Sequence, residues 1–132
     1  MSINRRDVLA RGLGLASIAA LGTKPLAAQT TQPKIPDDAI ILIAELKAKP
    51  GAEEAVKKAL IAMVAPTREE KGCLCYNLHQ SEKDAATFVF YEQWANQKAL
   101  GTHGKSAHMR AMRAATHGKV AKGGATRYRL LA

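Results

Sequence analysis

The sequence lacks a long apolar run, enough residues for a second domain and, over residues 98–132, any acidic side chain. The longest apolar stretch, residues 12–21, is about half the ~20 residues that a transmembrane helix needs, so no permanent membrane span is expected. The 132 residues suit one compact domain and are too few for two. Neither an internal repeat nor a low-complexity tract occurs, and the 47% apolar content excludes intrinsic disorder as the main state.

The formal net charge of +9 is unevenly distributed along the chain. Residues 1–29 contribute +3, residues 30–97 contribute −2 and residues 98–132 contribute +8, which sum to +9. Tyr128 is the only aromatic residue in the basic tail, whereas single-stranded nucleic-acid binders need several stacking platforms. We therefore expect no nucleic-acid partner, and the tail is predicted to form a solvated helix face and strand edge.

Residues 1–28 have the layout of a bacterial export signal. Arg5 and Arg6 precede the apolar run, and small residues lead to a predicted cleavage point after Ala28. Residues 4–10 resemble the twin-arginine export motif, so we predict a periplasmic or secreted protein. It would touch the membrane only if the signal is retained as an anchor. Residues 29–38 are polar, contain two prolines and are predicted to be a linker to a domain over 39–132.

The domain is predicted to contain six main elements in the order strand, helix, strand, strand, helix, strand. The predicted strands cover 39–46, 73–80, 87–94 and 126–131; the first helix runs from about 52, a short helix begins near 97, and the second main helix covers 106–117. This order is that of the ferredoxin-like α+β fold. Alternation along 73–80 predicts two sets of side chains on opposite faces: Leu74, Tyr76 and Leu78, against Cys73, Cys75, Asn77 and His79.

Four motifs occur in a fixed order along this domain. They are Lys49-Pro50-Gly51, then Glu70-x-Gly72-Cys73-Leu74-x-Tyr76-x-Leu78-His79, then Phe90-Tyr91-Glu92-x-Trp94, and then His103. Over residues 39–112 the chain resembles the antibiotic biosynthesis monooxygenase family. The resemblance implies a dimeric α+β barrel, here a homodimer. It also implies oxidation of a quinol or related phenol by dioxygen without metal, flavin or haem, so no cofactor is expected.

Five of the six aromatic residues fall between positions 76 and 94, on two neighbouring predicted strands. Such a concentration favours a flat pocket for a small aromatic substrate. For Phe88 and Phe90, packing in the core is the favoured interpretation. The predicted substrate-binding residues are Tyr76, His79, Phe90 and His108.

The predicted catalytic residues are His103, Trp94 and Glu92. An imidazole accepts a proton near neutral pH, so His103 is the leading candidate for the base that ionises a phenol. Trp94 is the predicted pocket wall. Glu92 is predicted either to take part in catalysis or to form a structural pair with a histidine or Arg68, because a carboxylate on an apolar face needs a partner.

Cys73 and Cys75 are expected to point the same way on one strand. Their Cα atoms would then lie ~6.6 Å apart, near the upper limit for a disulfide, so no internal disulfide is predicted. The two thiols with His79 lack an evident third or fourth partner for zinc or copper, and no metal site is predicted.

Three alternatives remain open at this stage. The first is a haem-binding or haem-degrading relative, although those enzymes carry an asparagine on the first strand where this chain has Ala44. The second is a non-catalytic module that binds a small aromatic molecule. The third is a basic module that binds nucleic acid or a membrane surface.

Overall fold

The structure is a computed structural model and describes residues 34–131. The predicted export signal lies outside the described residues. The elements are β1 (Ile40–Ala48), α1 (Glu53–Arg68), β2 (Cys73–Gln80), β3 (Thr87–Trp94), α2 (Gln97–Gly104), α3 (Ala107–Thr116) and β4 (Val120–Tyr128). Within the part of the chain described, no helix combines the length and apolar character that a bilayer crossing requires.

The four strands form one antiparallel sheet in the order β2-β3-β1-β4. This arrangement confirms the ferredoxin-like α+β prediction. The β-branched run of β1 occupies a central position because both of its edges are paired. Helix α1 contacts both β2 and α3, so the helices cover one face of the sheet.

The core lies between α1 and the covered face of β3. Val56 and Leu60 of α1 are fully buried at helical spacing. On β3, every second residue is buried, which is the period-2 pattern of a strand with one covered face. The last residue of that series, Trp94, is fully buried. The core therefore extends to the end of β3, three residues before α2 begins at Gln97.

The alternation predicted for β2 is wrong at its first two residues, Cys73 and Leu74. Cys73 pairs with Trp94 and Cys75 pairs with the next residue back, Gln93, so Leu74 is an extra residue in a β-bulge. The bulge places Cys73 on the core face and Cys75 on the opposite face, because cross-strand partners share a face. Leu74 is left 45% exposed.

The last strand starts earlier than the sequence predicts. The Gly123-Gly124 pair predicts a turn before a strand over 126–131, whereas β4 runs Val120–Tyr128 and includes both glycines. They pair with Leu46 and Glu45 of β1. The β4 strand lies at the sheet edge and is exposed along most of its length. Two glycines are tolerated there because side chains at these positions would bury little surface.

Candidate functional site

The turn between α1 and β2 holds Glu70 in a fixed backbone position. Its amide donates to the Thr67 carbonyl and its carbonyl accepts from the Cys73 amide, both at 3.0 Å. The neighbouring Gly72 carbonyl accepts from the Ala95 amide at 2.8 Å, which ties this turn to the connection between β3 and α2. Two segments distant in sequence therefore meet at Glu70.

Gly72 allows α2 to pack closely against this turn. Its φ of +89° lies in the left-handed region, and a Cβ added there would stand 2.6 Å from the Ala99 Cβ. Ala99 and His103 are four residues apart and are the buried residues of α2. The glycine therefore permits the approach that brings His103 over Glu70.

Glu70 binds two histidines from two different helices. Its Oε1 accepts from Nδ1 of His103 at 2.9 Å and from Nε2 of His108. Because an ionised carboxylate only accepts, each of these ring nitrogens is the donor. A neutral His103 then carries its lone pair on Nε2. The three side chains are 14%, 5% and 21% exposed for Glu70, His103 and His108, so the cluster is largely shielded from solvent.

Aromatic rings pack around His103. Its ring centroid lies 4.6 Å from that of Trp94 and 5.5 Å from that of Tyr76, which meets it edge-on. Tyr76 in turn stacks against Phe90 at 4.8 Å. These rings are each at most 4% exposed and form part of the core, so they fix the orientation of the imidazole.

Glu92 is hydrogen-bonded within its own strand. The Trp94 indole Nε1–H donates to Glu92 Oε2 at 2.8 Å. The predicted pairing with a histidine or Arg68 is not found, because Arg68 donates instead to the Tyr76 carbonyl and the Asn77 side chain. Burial raises the pKa of Glu92, the bond from Trp94 lowers it by less, and the nearby Glu70 charge raises it further.

Replacing Glu92 by glutamine is expected to increase stability progressively as pH rises above about 4.5, the ordinary carboxyl value. Because the folded state raises the pKa of Glu92, the stability it contributes is present below that value and is lost as pH rises through the folded pKa. The glutamine amide oxygen would still accept from Trp94, and the new side chain carries no charge. Urea unfolding between pH 4 and 8 measures this difference, with the exposed Glu45→Gln as the matched control. Parallel curves for wild type and Glu92→Gln would contradict the prediction.

Six of the seven predicted site residues come together. Tyr76, Phe90, Glu92 and Trp94 lie on the covered face of the sheet, with His103 and His108 above them. His103, expected just past β3, lies in the last turn of α2. His79 is exposed on the opposite face of β2 and does not join them.

Glu70 is not among the site residues predicted from the sequence, although it belongs to one of the four motifs on which the family resemblance depends. Its signal is weak because Glu69 and Glu70 are adjacent acids after a helix, a pattern typical of a solvated turn. Nothing in that pattern identifies which of the two meets a histidine more than thirty positions away.

Both cysteines are free thiols. Burial, with smaller contributions from the Glu70, Cys75 and Glu92 charges, raises the pKa of Cys73 to about 11. A neutral thiol is a poor nucleophile, so Cys73 is not a candidate for covalent catalysis. Cys75 lies on the other face and accepts a hydrogen bond from Asn77 at 3.3 Å.

A pocket of about 600 Å³ opens beside the cluster. It is lined by Glu70, Lys71, Gly72, Ala95, Asn96, Lys98, Ala99 and Thr102. This volume lies within the ~300–1,000 Å³ typical of small-molecule sites. Its lining includes the Glu70 carboxylate and two lysines, and most of the surface that it offers to a ligand is apolar.

The fold and this site define an α+β protein with a buried histidine supported by a carboxylate and aromatic rings. The sequence profile of the family described as antibiotic biosynthesis monooxygenase matches residues 39–115. The chain belongs to the antibiotic biosynthesis monooxygenase family.

The chain is also similar to individual proteins, one of which is named as a monooxygenase. An uncharacterised protein of Synechocystis sp. is 32% identical over 110 residues, which cover 78% of this chain and 73% of that protein. A Mycobacterium tuberculosis protein named "Putative monooxygenase Rv0793" is 36% identical over 69 residues, 52% of this chain and 67% of that one. The crystal structure of PA3566 from Pseudomonas aeruginosa superposes with a TM-score of 0.70 at 33% identity, covering 76% of this chain and 100% of that chain.

Proposed function

We propose that this protein is a monooxygenase that oxidises a quinol or related phenol with dioxygen, using His103 as the base and no cofactor. The observation that carries the proposal is the hydrogen bond from His103 Nδ1 to Glu70 Oε1. It leaves Nε2 as the acceptor nitrogen and keeps the negative carboxylate next to the imidazolium that forms when Nε2 takes a proton. A mycobacterial relative named as a monooxygenase supports the reaction class.

The chemistry begins with a phenolic proton passing to Nε2 of His103. The phenolate is electron-rich and transfers one electron to dioxygen, giving a phenoxyl radical and superoxide. These combine at a ring carbon that bears a hydrogen, and the peroxide anion formed takes back the proton from Nε2 of His103. Loss of that carbon's hydrogen as a proton, with cleavage of the O–O bond, leaves one oxygen atom on the carbon as a carbonyl and releases the other as water. The buried aromatic surroundings of His103 exclude water that would compete with this recombination.

The 600 Å³ pocket is the proposed entry for the substrate. It runs over Ala99 and Thr102 of α2, the helix that carries His103. The apolar surface of this pocket, to which Ala95 and Ala99 contribute, suits the ring of a phenol. His103 does not itself line this pocket, but its hydrogen-bond partner Glu70 does.

Oxygen consumption by the purified full chain with a panel of substituted hydroquinones tests the proposal. We expect uptake that saturates with at least one hydroquinone and persists after treatment with a chelator. Binding of hydroquinones without oxygen uptake would contradict the proposal and favour the alternative of a non-catalytic aromatic-binding module.

A further inference from the structure

The Glu70–His103–His108 cluster has a donor set suited to a transition-metal cation. Two imidazole nitrogens and one carboxylate oxygen lie within 4.8 Å of one another. Four-coordinate zinc holds nitrogen and oxygen donors at about 2.0–2.2 Å, which spaces them about 3.3 Å apart. Both ring nitrogens already face the same carboxylate, since each is hydrogen-bonded to Oε1 of Glu70.

Both histidines hydrogen-bond to the same carboxylate oxygen of Glu70, Oε1. Oε2 is buried and has no hydrogen-bond partner among residues 34–131. A buried acceptor without a partner destabilises the folded state, and more so when it carries charge. A cation bound between Oε2 and the two imidazoles would supply that partner.

The cluster also has a route from solvent. His108 is the most exposed of the three and lines a second pocket, of about 160 Å³, between α1 and α3. The other lining residues are Ala59, Ala62, Met63, Ala111, Met112 and Ala115. These side chains offer no carboxylate or imidazole that would compete with the cluster for an entering ion.

We infer that Glu70, His103 and His108 form a binding site for a divalent transition-metal cation such as Zn²⁺. Three protein ligands leave one or more coordination positions open, as in the open type of zinc site. The ligands come from the α1–β2 turn, α2 and α3, so a bound ion would also fasten these three segments together.

Occupation of the site would remove the proposed base, a consequence that rests on the proposed function. The metal takes the lone pair of Nδ1 on His103, so the ring proton moves to Nε2. Nε2 then donates and can no longer accept a proton from a phenol. His108 changes in the reverse sense, from Nε2–H to Nδ1–H. No net proton is released, and metal and catalysis compete for one imidazole.

Calorimetric titration of the chelator-treated full chain with ZnCl₂ tests the binding, independently of activity. We expect one site per chain. Loss of an outer-sphere partner already costs about 10–100-fold in metal affinity, so His108→Ala is expected to weaken binding by at least about 100-fold. His117→Ala is the matched control, because His117 is an exposed histidine outside the cluster. Far-ultraviolet circular dichroism checks folding, and His108→Gln replaces His108→Ala if the latter unfolds.

The visible absorption spectrum of the Co²⁺-loaded protein identifies the residues that bind the ion. Co²⁺ bound at the cluster is expected to show visible d–d bands that disappear in His108→Ala and persist in His117→Ala. Either absence of Zn²⁺ binding by the wild type or equal binding by His108→Ala would overturn the proposal. A thiolate-to-cobalt charge-transfer band would also overturn it, since that band would place the ion at Cys73 or Cys75.

The effect of Zn²⁺ on hydroquinone turnover is measured in a separate experiment. If hydroquinone oxidation is observed, Zn²⁺ is expected to inhibit it and a chelator to restore it. If no hydroquinone is oxidised, the proposed function fails while the calorimetric result on the metal site still stands. Full turnover by protein saturated with Zn²⁺ would show that the ion does not occupy Nδ1 of His103.

Discussion

Replacing His103 by alanine is expected to lower hydroquinone turnover by at least about 100-fold, since a positioned general base contributes about 10²–10⁴ in rate. Glu70 and Trp94 orient the imidazole, and the indole of Trp94 is a donor only and has no lone pair for a phenolic proton. The measurement is the initial rate of oxygen uptake at saturating hydroquinone. His117→Ala is the control, because it removes an exposed histidine and is expected to retain the wild-type rate.

Chemical rescue separates a base from a packing residue. His103 is buried against Trp94, so its removal leaves a space of the shape of an imidazole. Added imidazole is expected to restore part of the rate of His103→Ala while leaving the wild type unchanged. Wild-type turnover by a folded His103→Ala protein would show that another group removes the proton.

Replacing Gly72 by alanine is expected to reduce the free energy of unfolding by about 2–5 kcal/mol. About 1–2 kcal/mol comes from a Cβ in the left-handed region, and about 1–3 kcal/mol comes from the 2.6 Å clash with Ala99. For a domain of this size each kcal/mol corresponds to about 4–8 °C in Tm, so the loss is visible in a thermal melt. The substitution also pushes α2 away from the turn that carries Glu70.

Gly51→Ala is the matched control for Gly72→Ala. Gly51 has a similar φ of +82°, but a Cβ added there meets nothing within 4 Å. It therefore carries the backbone cost alone, about 1–2 kcal/mol. The double variant Gly72→Ala/Ala99→Gly removes the opposing methyl and is expected to recover part of the loss. Equal destabilisation by the two single alanine variants would refute the steric account of Gly72.

Much of the fold follows from local sequence pattern. β2 and β3 have the predicted bounds, because their alternation is regular and polar turns flank them. The α1 periodicity also predicts its buried face, since Val56, Leu60 and Met63 all lie in the core. The export signal and the homodimer stay predictions.

The elements that depend on pairing or tertiary contact were harder to predict. A bulge at Leu74 is set by the register between β2 and β3, so the sequence alternation predicts the wrong face for Cys73, whereas Cys75 lies on its predicted face with Asn77 and His79. Two glycines in β4 resemble a turn until the partner strand is known. Glu70 can bind His103 only because Gly72 allows α2 to pack against the α1–β2 turn. No local sequence pattern predicts that contact.

We propose that the chain uses its own residues to place an oxygen atom from dioxygen onto a phenolic substrate. Incubation of chelator-treated full chain with a hydroquinone under oxygen-18 gas, followed by mass spectrometry of the product, tests this most directly. We predict a product carrying a single oxygen-18 atom, formed by the wild type and lost in His103→Ala. Consumption of oxygen without label in the product would contradict this claim.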